Sequence, residues 1–343
     1  MTGGRIIIVD PWNPDPGIMR EAGALIRQGG LVAFPTETVY GLGANGMDPL
    51  AASKIFAAKG RPSDNPLILH FSSPEGPEQV AEVSQRARRL MDLFWPGPLT
   101  LVLPSRGTVP GEVTAGLSTV AVRMPSHPVA IALIDAAGVP VAAPSANSSG
   151  RPSPTEAESV ASDLGDGVDL ILDGGPTSVG VESSVLDLTG ERMVLLRPGG
   201  CPVEEIEERG GEEVLRSGGD GRRSPGTRYR HYAPSIPLLL DRLEGVRQRA
   251  LQFGTRIAWL GMEGPERVFR EGEIEKKLTI CFDSPENYAR GLFHALRMLE
   301  VSGAHAIVAQ WPPCEAGISL ALRDRLERAS LEDRRGKKEK ESL

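Results

Sequence analysis

The stretch LVAFPTETVYGLG, residues 31–43, joins a short apolar run to a run of polar residues and glycines. Its first four residues have the length and composition of a buried strand, and Thr36, Glu37 and Thr38 follow directly after Pro35. Polar residues directly after a buried strand occupy the position at which α/β proteins bind ligands. The stretch predicts an α/β domain with a ligand site at this strand end, although a simple turn stabilised by a Thr hydroxyl is the alternative.

Similar short apolar runs alternate with helix-like stretches as far as about Pro198, which predicts a mixed α/β domain. One helix in this region has clear boundaries. Asp48 is a favourable N-cap, and Gly60 is a favourable residue just beyond the last turn. This helix would place Lys59 and Arg61 at the start of a loop.

The 343 residues are enough for two domains of ordinary size. We predict a first α/β domain over residues 1–215 and a smaller α/β domain over residues 236–330. The Gly, Ser, Pro and Arg composition of residues 216–235 predicts a linker. Residues 331–343 form a charged tail with too little apolar content to pack, and we expect it to be disordered.

Bulk composition limits the function classes. The net charge of −7, from 38 basic and 45 acidic residues, argues against a general electrostatic grip on nucleic acid, so any anion site must be local. Three widely spaced cysteines predict neither a disulfide framework nor a zinc ribbon. No apolar run has the length of a signal or membrane-spanning segment, so we expect a cytoplasmic protein without a membrane contact.

Residues 41–46 read GLGANG and match the G-x-G-x-x-G pattern of dinucleotide-binding turns. The context does not fit, because Pro35 interrupts the segment between the strand and the glycines, and Pro49 starts the next helix only after the last glycine. We therefore predict a turn in which glycine supplies a positive φ, and no dinucleotide site.

Two cations flank a glycine in the Pro-rich loop that follows the predicted helix. Lys59 and Arg61 in such a stiff loop could hold a phosphate at low ordering cost. The alternative is that Lys59 complements the helix C-terminus and Arg61 is solvated. His70, at the end of the next apolar run, is by itself a candidate core histidine.

Arg123 lies in an apolar strand and needs a partner. The period of two places Thr119 and Arg123 on the same face, and burying an unpaired charge is costly. Either an internal acid or an anionic ligand would serve. The small polar segment PSANSSGRPS, residues 144–153, follows another strand and projects Ser145 and Asn147 on one side.

The sequence contains no plausible Ser-His-Asp set, no G-x-S-x-G elbow and no G-x-x-x-x-G-K-[ST] loop. Positioning and electrostatics must then carry the chemistry, as in phosphoryl or nucleotidyl transfer. The boundary segment SPGTRYRHYAP, residues 224–234, holds two tyrosines, a histidine and two arginines. Such side chains lose entropy when ordered, so we predict a lid with contacts of its own.

Together these segments resemble a known family. Residues 30–197 look like the YrdC-type domain of threonylcarbamoyl-AMP synthases, and residues 224–234 look like the linker of the long form. Residues 317–329 resemble the end of that form's extra domain. The resemblance implies a twisted open mixed sheet around a basic cavity, with a second, smaller, Rossmann-like α/β domain. It implies a reaction of L-threonine, bicarbonate and MgATP to give threonylcarbamoyl-AMP and pyrophosphate.

The resemblance also implies roles for individual residues. The residues expected around L-threonine are Thr36, His70, Arg123, Ser145 and Ser183. Those expected to hold ATP are Lys59, Arg61, Ser63, Thr119, Asn147, Ser153, Arg197 and Tyr232. The remaining lid residues are Arg228, Arg230 and His231. Mg²⁺ would arrive with ATP and bind mainly to phosphates and water, with no protein metal cluster and no organic cofactor.

The product would pass to a separate tRNA threonylcarbamoyl transferase for the threonylcarbamoyladenosine modification of tRNA, with at most a weak tRNA contact here. One alternative is a carbamoyl-adenylate-forming enzyme of the hydrogenase-maturation type, which the missing acylphosphatase-like and zinc-finger segments disfavour. Another is a non-catalytic RNA-binding module, which the acidic net charge disfavours.

Overall fold

The computed structural model describes residues 4–216, 223 and 231–331. The chain divides into a first unit, Met1–Ser149 with Ser153–Arg228, and a second unit, Gly150–Pro152 with Tyr229–Leu343. The main division after Arg228 falls inside the predicted linker. The predicted tail lies outside the described residues except for Leu331, whose backbone N–H donates to Leu238 in the second unit.

The first unit is built on a mixed sheet. Its described strands are β1 (Arg5–Ile8), β2 (Val32–Phe34), β3 (Gly41–Asn45), β4 (Ile68–His70), β5 (Leu99–Pro104), β6 (Thr119–Arg123), β7 (Val141–Ala142), β8 (Leu170–Asp173), β9 (Ser184–Asp187), β10 (Met193–Arg197) and β11 (Val214–Leu215). They lie in the order β1-β8-β2-β3-β7-β4-β6-β5-β9-β10-β11. Because β4 pairs in parallel with β6, whereas β5 pairs antiparallel with it, the predicted mixed α/β architecture is confirmed.

Helices cover this sheet. The described helices are α1 (Pro16–Arg27), α2 (Pro49–Lys59), α3 (Gln85–Phe94), α4 (Gly111–Thr114), α5 (Pro128–Ala137), α6 (Ala157–Leu164) and α7 (Val203–Gly210), with short 3₁₀ turns at Gly76–Gln79 and Gly165–Gly167. Helix α2 has the predicted ends, since an Asp48 oxygen accepts from the Leu50 N–H at 2.9 Å and Gly60 has φ +59°. Ile26 of α1 and Leu133 of α5 pack with Val32 in one apolar core. None of the described helices is long and apolar enough to cross a membrane.

The glycines of residues 41–46 do not have the predicted positive φ, so that prediction is wrong. Gly41 and Gly43 lie in strand β3, and Gly46 follows it in a turn that the Asp48 N–H closes by donating to the Asn45 carbonyl at 3.2 Å. Close packing is the physical reason for glycine here. A Cβ on Gly43 would lie 2.8 Å from the Phe34 ring, and one on Gly46 would lie 2.4 Å from a Leu69 methyl group.

The second unit is a smaller α/β fold. Its described elements are β12 (Leu238–Leu240), α8 (Val246–Leu251), β13 (Ile257–Gly261), β14 (Thr279–Cys281), α9 (Pro285–Val301), β15 (Ala306–Ala309) and α10 (Ile318–Ala329), with 3₁₀ turns at Pro265–Arg267 and Lys276–Leu278. The strands pair in parallel in the order β12-β15-β13-β14. Trp259 and Val308 lie in its core.

A three-residue segment from the middle of the chain belongs to this second unit. Arg151 forms a bidentate ion pair with Glu300 of α9, at 2.5 and 3.0 Å. The Gly150 carbonyl accepts from the Ala233 N–H at 2.9 Å, and Arg297 of α9 donates to the Pro152 carbonyl. Gly150–Pro152 is therefore held by α9 and by the start of the second unit, although its chain neighbours on both sides belong to the first.

Candidate active site

Arg123 lies at the end of β6 in the first unit, and His70 is its register partner on β4. The Arg123 side chain is only 5% exposed. Its Nη2 atom lies 2.5 Å from Oε1 of Glu37, and its Nη1 atom donates to Oγ1 of Thr38 at 3.1 Å. Of the two partners that the sequence left open, the structure shows the internal acid.

Glu37 had no predicted role. One feature of the sequence pointed to it: Glu37 is an acidic residue among uncharged ones, directly after a buried strand. A buried arginine on another strand could reach an acid in that position. That pairing joins residues 86 positions apart, and the sequence does not specify their proximity.

Thr36 forms the turn stabilised by a Thr hydroxyl, which was the alternative interpretation of residues 31–43. Its hydroxyl donates to the Val39 carbonyl at 2.6 Å and accepts from the Val39 N–H at 3.2 Å. The same oxygen lies 2.8 Å from Oγ1 of Thr38, which in turn accepts from Arg123. The turn therefore fixes a hydroxyl beside the guanidinium.

His70 is buried and neutral. Burial, together with the positive charge of Arg123, lowers the pKa of His70 to about 3, although contacts to the Ile68 and Val141 backbones oppose the shift. Its Nδ1 atom lies 3.1 Å from the Ile68 carbonyl oxygen. Because a carbonyl only accepts, this contact assigns the ring hydrogen to Nδ1 and leaves Nε2 as an acceptor.

Ser183 and Arg197 are in contact at the ends of paired strands: Ser183 directly precedes β9, and Arg197 is the last residue of β10. The Ser183 hydroxyl lies 2.8 Å from Oγ1 of Thr100 on β5. Nη2 of Arg197 donates to the Ser183 carbonyl at 2.9 Å and to its hydroxyl at 3.2 Å. Ser183, which was expected to contact threonine, is thus in direct contact with Arg197, which was expected to contact ATP. Thr100 had no predicted role.

Lys59 reaches back from the end of α2 to the segment after β7. Its Nζ donates to the backbone carbonyls of Ser145 and Asn147 and lies 3.5 Å from the Asn147 amide oxygen. Within the described part of the chain it forms no ion pair. Burial lowers the pKa of the Lys59 amine well below its usual value, and Arg61 adds to this, whereas Asp163 and Glu182 oppose it. Lys59, Ser145 and Asn147 therefore form one cluster.

The loop after Lys59 contains an unexpected feature. Nη2 of Arg61 donates to the carbonyls of Asn65 and Pro66 at 3.0 and 3.2 Å, whereas Ser63 is exposed. The Asn65 side chain is 1% exposed, and neither of its amide atoms has a hydrogen-bond partner among the described residues. A buried amide in this state costs about 1–3 kcal/mol, so Asn65 is a candidate ligand contact. Its residue type alone gave no signal.

Ser153 and Thr119 are both buried. The Ser153 hydroxyl donates to Oε1 of Glu182 at 2.5 Å. Glu182 also acts electrostatically on Lys59, which connects Ser153 to the lysine cluster. Thr119 begins β6 and pairs with Pro104 of β5. Glu182 was not assigned a role from the sequence, because an acid next to two serines resembles an ordinary strand end.

Tyr232 and His231 belong to the second unit. Tyr232 has φ +66°, an uncommon conformation for a residue with a side chain, and its ring stacks on Phe293 of α9 at 5.3 Å. The Arg325 guanidinium lies 5.2 Å from the Tyr232 ring centre, and the His231 ring lies 5.6 Å from it. Arg228 and Arg230 lie outside the described residues, so the lid stays a prediction.

Comparison with known proteins identifies the family of this chain. A model of the Sua5/YciO/YrdC family, described as "Telomere recombination", matches residues 24–199, and a model of the threonylcarbamoyl-AMP synthase C-terminal domain matches residues 201–330. The chain belongs to the threonylcarbamoyl-AMP synthase family. The resemblance seen in the sequence is confirmed, including its second domain.

The relatives are similar over nearly their whole length. The threonylcarbamoyl-AMP synthase of Pyrococcus abyssi is 48% identical over 91% of this chain and 94% of that protein. The enzyme of the same name from Bacillus subtilis is 44% identical over 92% of this chain and 93% of that protein. A crystal structure of P. abyssi Sua5 complexed with L-threonine superimposes with a TM-score of 0.85 at 44% identity, covering 95% of this chain and 97% of that one.

Proposed function

We propose that this chain is an L-threonylcarbamoyladenylate synthase, which converts L-threonine, bicarbonate and ATP into threonylcarbamoyl-AMP and pyrophosphate. The similarity to a family member complexed with L-threonine supports the amino-acid substrate. The observation that carries the proposal is the cluster of Arg123, Glu37, Thr38 and His70. It places a guanidinium and a neutral imidazole on neighbouring strands of one buried site.

Arg123 is the natural partner for the threonine carboxylate, because a guanidinium binds a carboxylate with charge-assisted hydrogen bonds. His70 would accept a hydrogen bond from the threonine amine through Nε2. An imidazole whose pKa is about 3 does so without becoming protonated at neutral pH, so His70 orients the amine and does not store its proton. Ser145 and Ser183 would complete this half of the site.

The second half would hold ATP. Lys59, Arg61 and Arg197 would supply positive charge, and the hydroxyl and amide groups of Ser63, Thr119, Asn147 and Ser153 would supply hydrogen bonds. Tyr232 is the remaining residue that the family resemblance assigns to ATP. The threonine nitrogen would first form an N–C bond to carbon dioxide, one C=O π bond would open to give a carboxylate oxygen, and the amine proton would pass to solvent; bicarbonate would reach the same carbamate with loss of one water. A carbamate oxygen would then attack the α-phosphorus, and the bond to the β-phosphate would break to release pyrophosphate. Lys59 and Arg61 would offset the charge that develops on the α-phosphate.

Mg²⁺ would enter with ATP and neutralise phosphate charge, because phosphate and water oxygens are the ligands it prefers. The product would be consumed by a separate transferase that acts on tRNA, with at most a weak tRNA contact here. This role suits a cytoplasmic protein.

Pyrophosphate release from ATP tests the proposal. We expect release to require both L-threonine and bicarbonate, because the site offers an acceptor position but no protein nucleophile. ATP turnover that is equally fast without threonine would contradict the proposal. Release supported by carbamoyl phosphate in place of threonine would instead identify a carbamoyl-adenylate-forming enzyme.

A further inference from the structure

Glu37 is held at both of its carboxylate oxygens. Oε1 lies 2.5 Å from Nη2 of Arg123, and Oε2 accepts from the Ser126 backbone N–H at 3.1 Å. The Glu37 and Arg123 side chains are 7% and 5% exposed. The backbone contact fixes the carboxylate independently of the arginine, so Glu37 is a rigid partner and not a mobile counter-charge.

The other contacts of Arg123 complete its orientation. Nη1 donates to Thr38 at 3.1 Å, and Nε donates to the Gly97 carbonyl at 3.3 Å. A guanidinium has five N–H donors, so the contacts to Glu37, Thr38 and Gly97 within the described chain use three of them and leave two. Arg123 can therefore keep its internal acid and still bind a carboxylate.

We propose that Glu37 is a positioning residue for the amino-acid substrate: it fixes the Arg123 guanidinium so that its two remaining N–H donors face the threonine carboxylate. This inference rests on the proposed function. A long arginine side chain has several rotatable bonds, and holding the fork in one orientation before the substrate arrives reduces the entropy lost on binding. Glu37 also neutralises the buried charge of Arg123 while the site is empty.

The test compares Glu37→Gln with Glu37→Asp in the full chain, with threonine and ATP varied separately in the pyrophosphate assay. Gln has the shape of Glu, but its NH₂ group must face either Arg123 or the Ser126 N–H, both of which are donors. We expect the threonine KM of Glu37→Gln to rise about tenfold, the loss expected for one charge-assisted hydrogen bond, while the ATP KM changes less than about twofold. Glu37→Asp keeps the charge, so its threonine KM should lie between those of Glu37→Gln and the wild type.

A merely structural role would give a different result. Loss of folded enzyme lowers the apparent kcat but leaves both KM values unchanged. Glu21→Gln is the matched control, because Glu21 also pairs with an arginine, Arg5, but at an exposed position, with 51% of its side chain accessible. Its threonine KM should equal that of the wild type.

An unchanged threonine KM in Glu37→Gln would overturn the proposal, as would equal increases of the threonine and ATP KM values. If Glu37→Gln does not fold, an unchanged threonine KM in Glu37→Asp would overturn it. Wild-type enzyme without threonine-dependent pyrophosphate release would instead contradict the proposed function, and this distinguishes the two failures.

Discussion

Arg123 and Lys59 are both buried cations of the first unit, but they are held in different ways. Arg123 faces the Glu37 carboxylate, whereas the oxygens around Lys59 belong to backbone carbonyls and one amide. A carboxylate cancels a positive charge, while neutral carbonyl dipoles only solvate it. We therefore expect the pair at Arg123 to hold its guanidinium in one orientation, and we expect Lys59 to gain its counter-charge from an anionic ligand such as a phosphate.

The largest expected effect comes from breaking the pair at Arg123. Arg123→Ala leaves the Glu37 carboxylate buried without its cation, and we expect a loss of about 3–5 kcal/mol in the free energy of unfolding. Urea denaturation of the full chain measures it. The double variant Arg123→Ala/Glu37→Gln removes the stranded charge and should recover much of this loss. A single variant as stable as the wild type would show that the pair is solvated in solution.

Removing the other cation should affect turnover more than folding. We expect Lys59→Ala to lower kcat for pyrophosphate release about 10²–10³-fold, the usual cost of losing one electrostatic contact to a transition state. Lys54→Ala is the matched control, because Lys54 lies on the same helix and donates to the Gly29 carbonyl at 2.6 Å, but is exposed. Equal effects of the two substitutions would mean that Lys59 only supports the helix end.

A smaller effect is expected from the protonation of His70, which lies beside Arg123, on the free energy of unfolding. Burial and Arg123 lower the pKa of His70 to about 3, so the unfolded chain binds a proton below pH about 6.5 while the folded protein does not. The stability that His70 contributes is complete above pH 6.5 and falls as the pH decreases toward 3. Between pH 7.5 and 5.5 the loss should be about 1.4 kcal/mol.

The measurement is the difference in unfolding free energy between wild type and His70→Gln at the two pH values. Gln does not titrate. Lowering the pH from 7.5 to 5.5 should therefore reduce the unfolding free energy of the wild type by about 1.4 kcal/mol more than that of His70→Gln. Parallel pH profiles for the two proteins would show that His70 is accessible to protons in the folded state.

The smallest effect concerns the substrate and not the protein. Serine lacks the threonine methyl group, and the loss of one apolar contact costs about 1 kcal/mol. We expect kcat/KM for serine to be about fivefold lower than for threonine in the pyrophosphate assay. Discrimination of 10⁴ or more would require a polar contact dedicated to the substrate side chain.

The fold is predictable from the sequence where local chemistry determines local structure. Helix α2 was predictable because Asp48 and Gly60 satisfy its two ends directly. A positive φ was wrongly predicted for Gly43 of β3 and for Gly46 just after it, because glycine is needed there to make room for Phe34 and Leu69, which approach only in the folded sheet. A glycine needed for space and one needed for positive φ look alike in a sequence.

The candidate site shows the same limit. The family resemblance gave Lys59, Ser145 and Asn147, which the structure brings together. It did not give Glu37 or Asn65. The role proposed for Glu37 depends on a contact between residues far apart in the sequence, and the case for Asn65 depends on its burial without a hydrogen-bond partner among the residues that the structure describes. Both properties arise from tertiary packing.

The segment Gly150–Pro152 affects how the chain can be dissected. A truncation before Ser224, the obvious way to remove the predicted lid, would also delete Glu300, Arg297 and Ala233, which hold this segment. The cut would release Gly150–Pro152, three of the five residues between the candidate ATP contacts Asn147 and Ser153. An inactive fragment would therefore not isolate the lid. Point substitutions at His231 and Tyr232 in the intact chain separate the two causes.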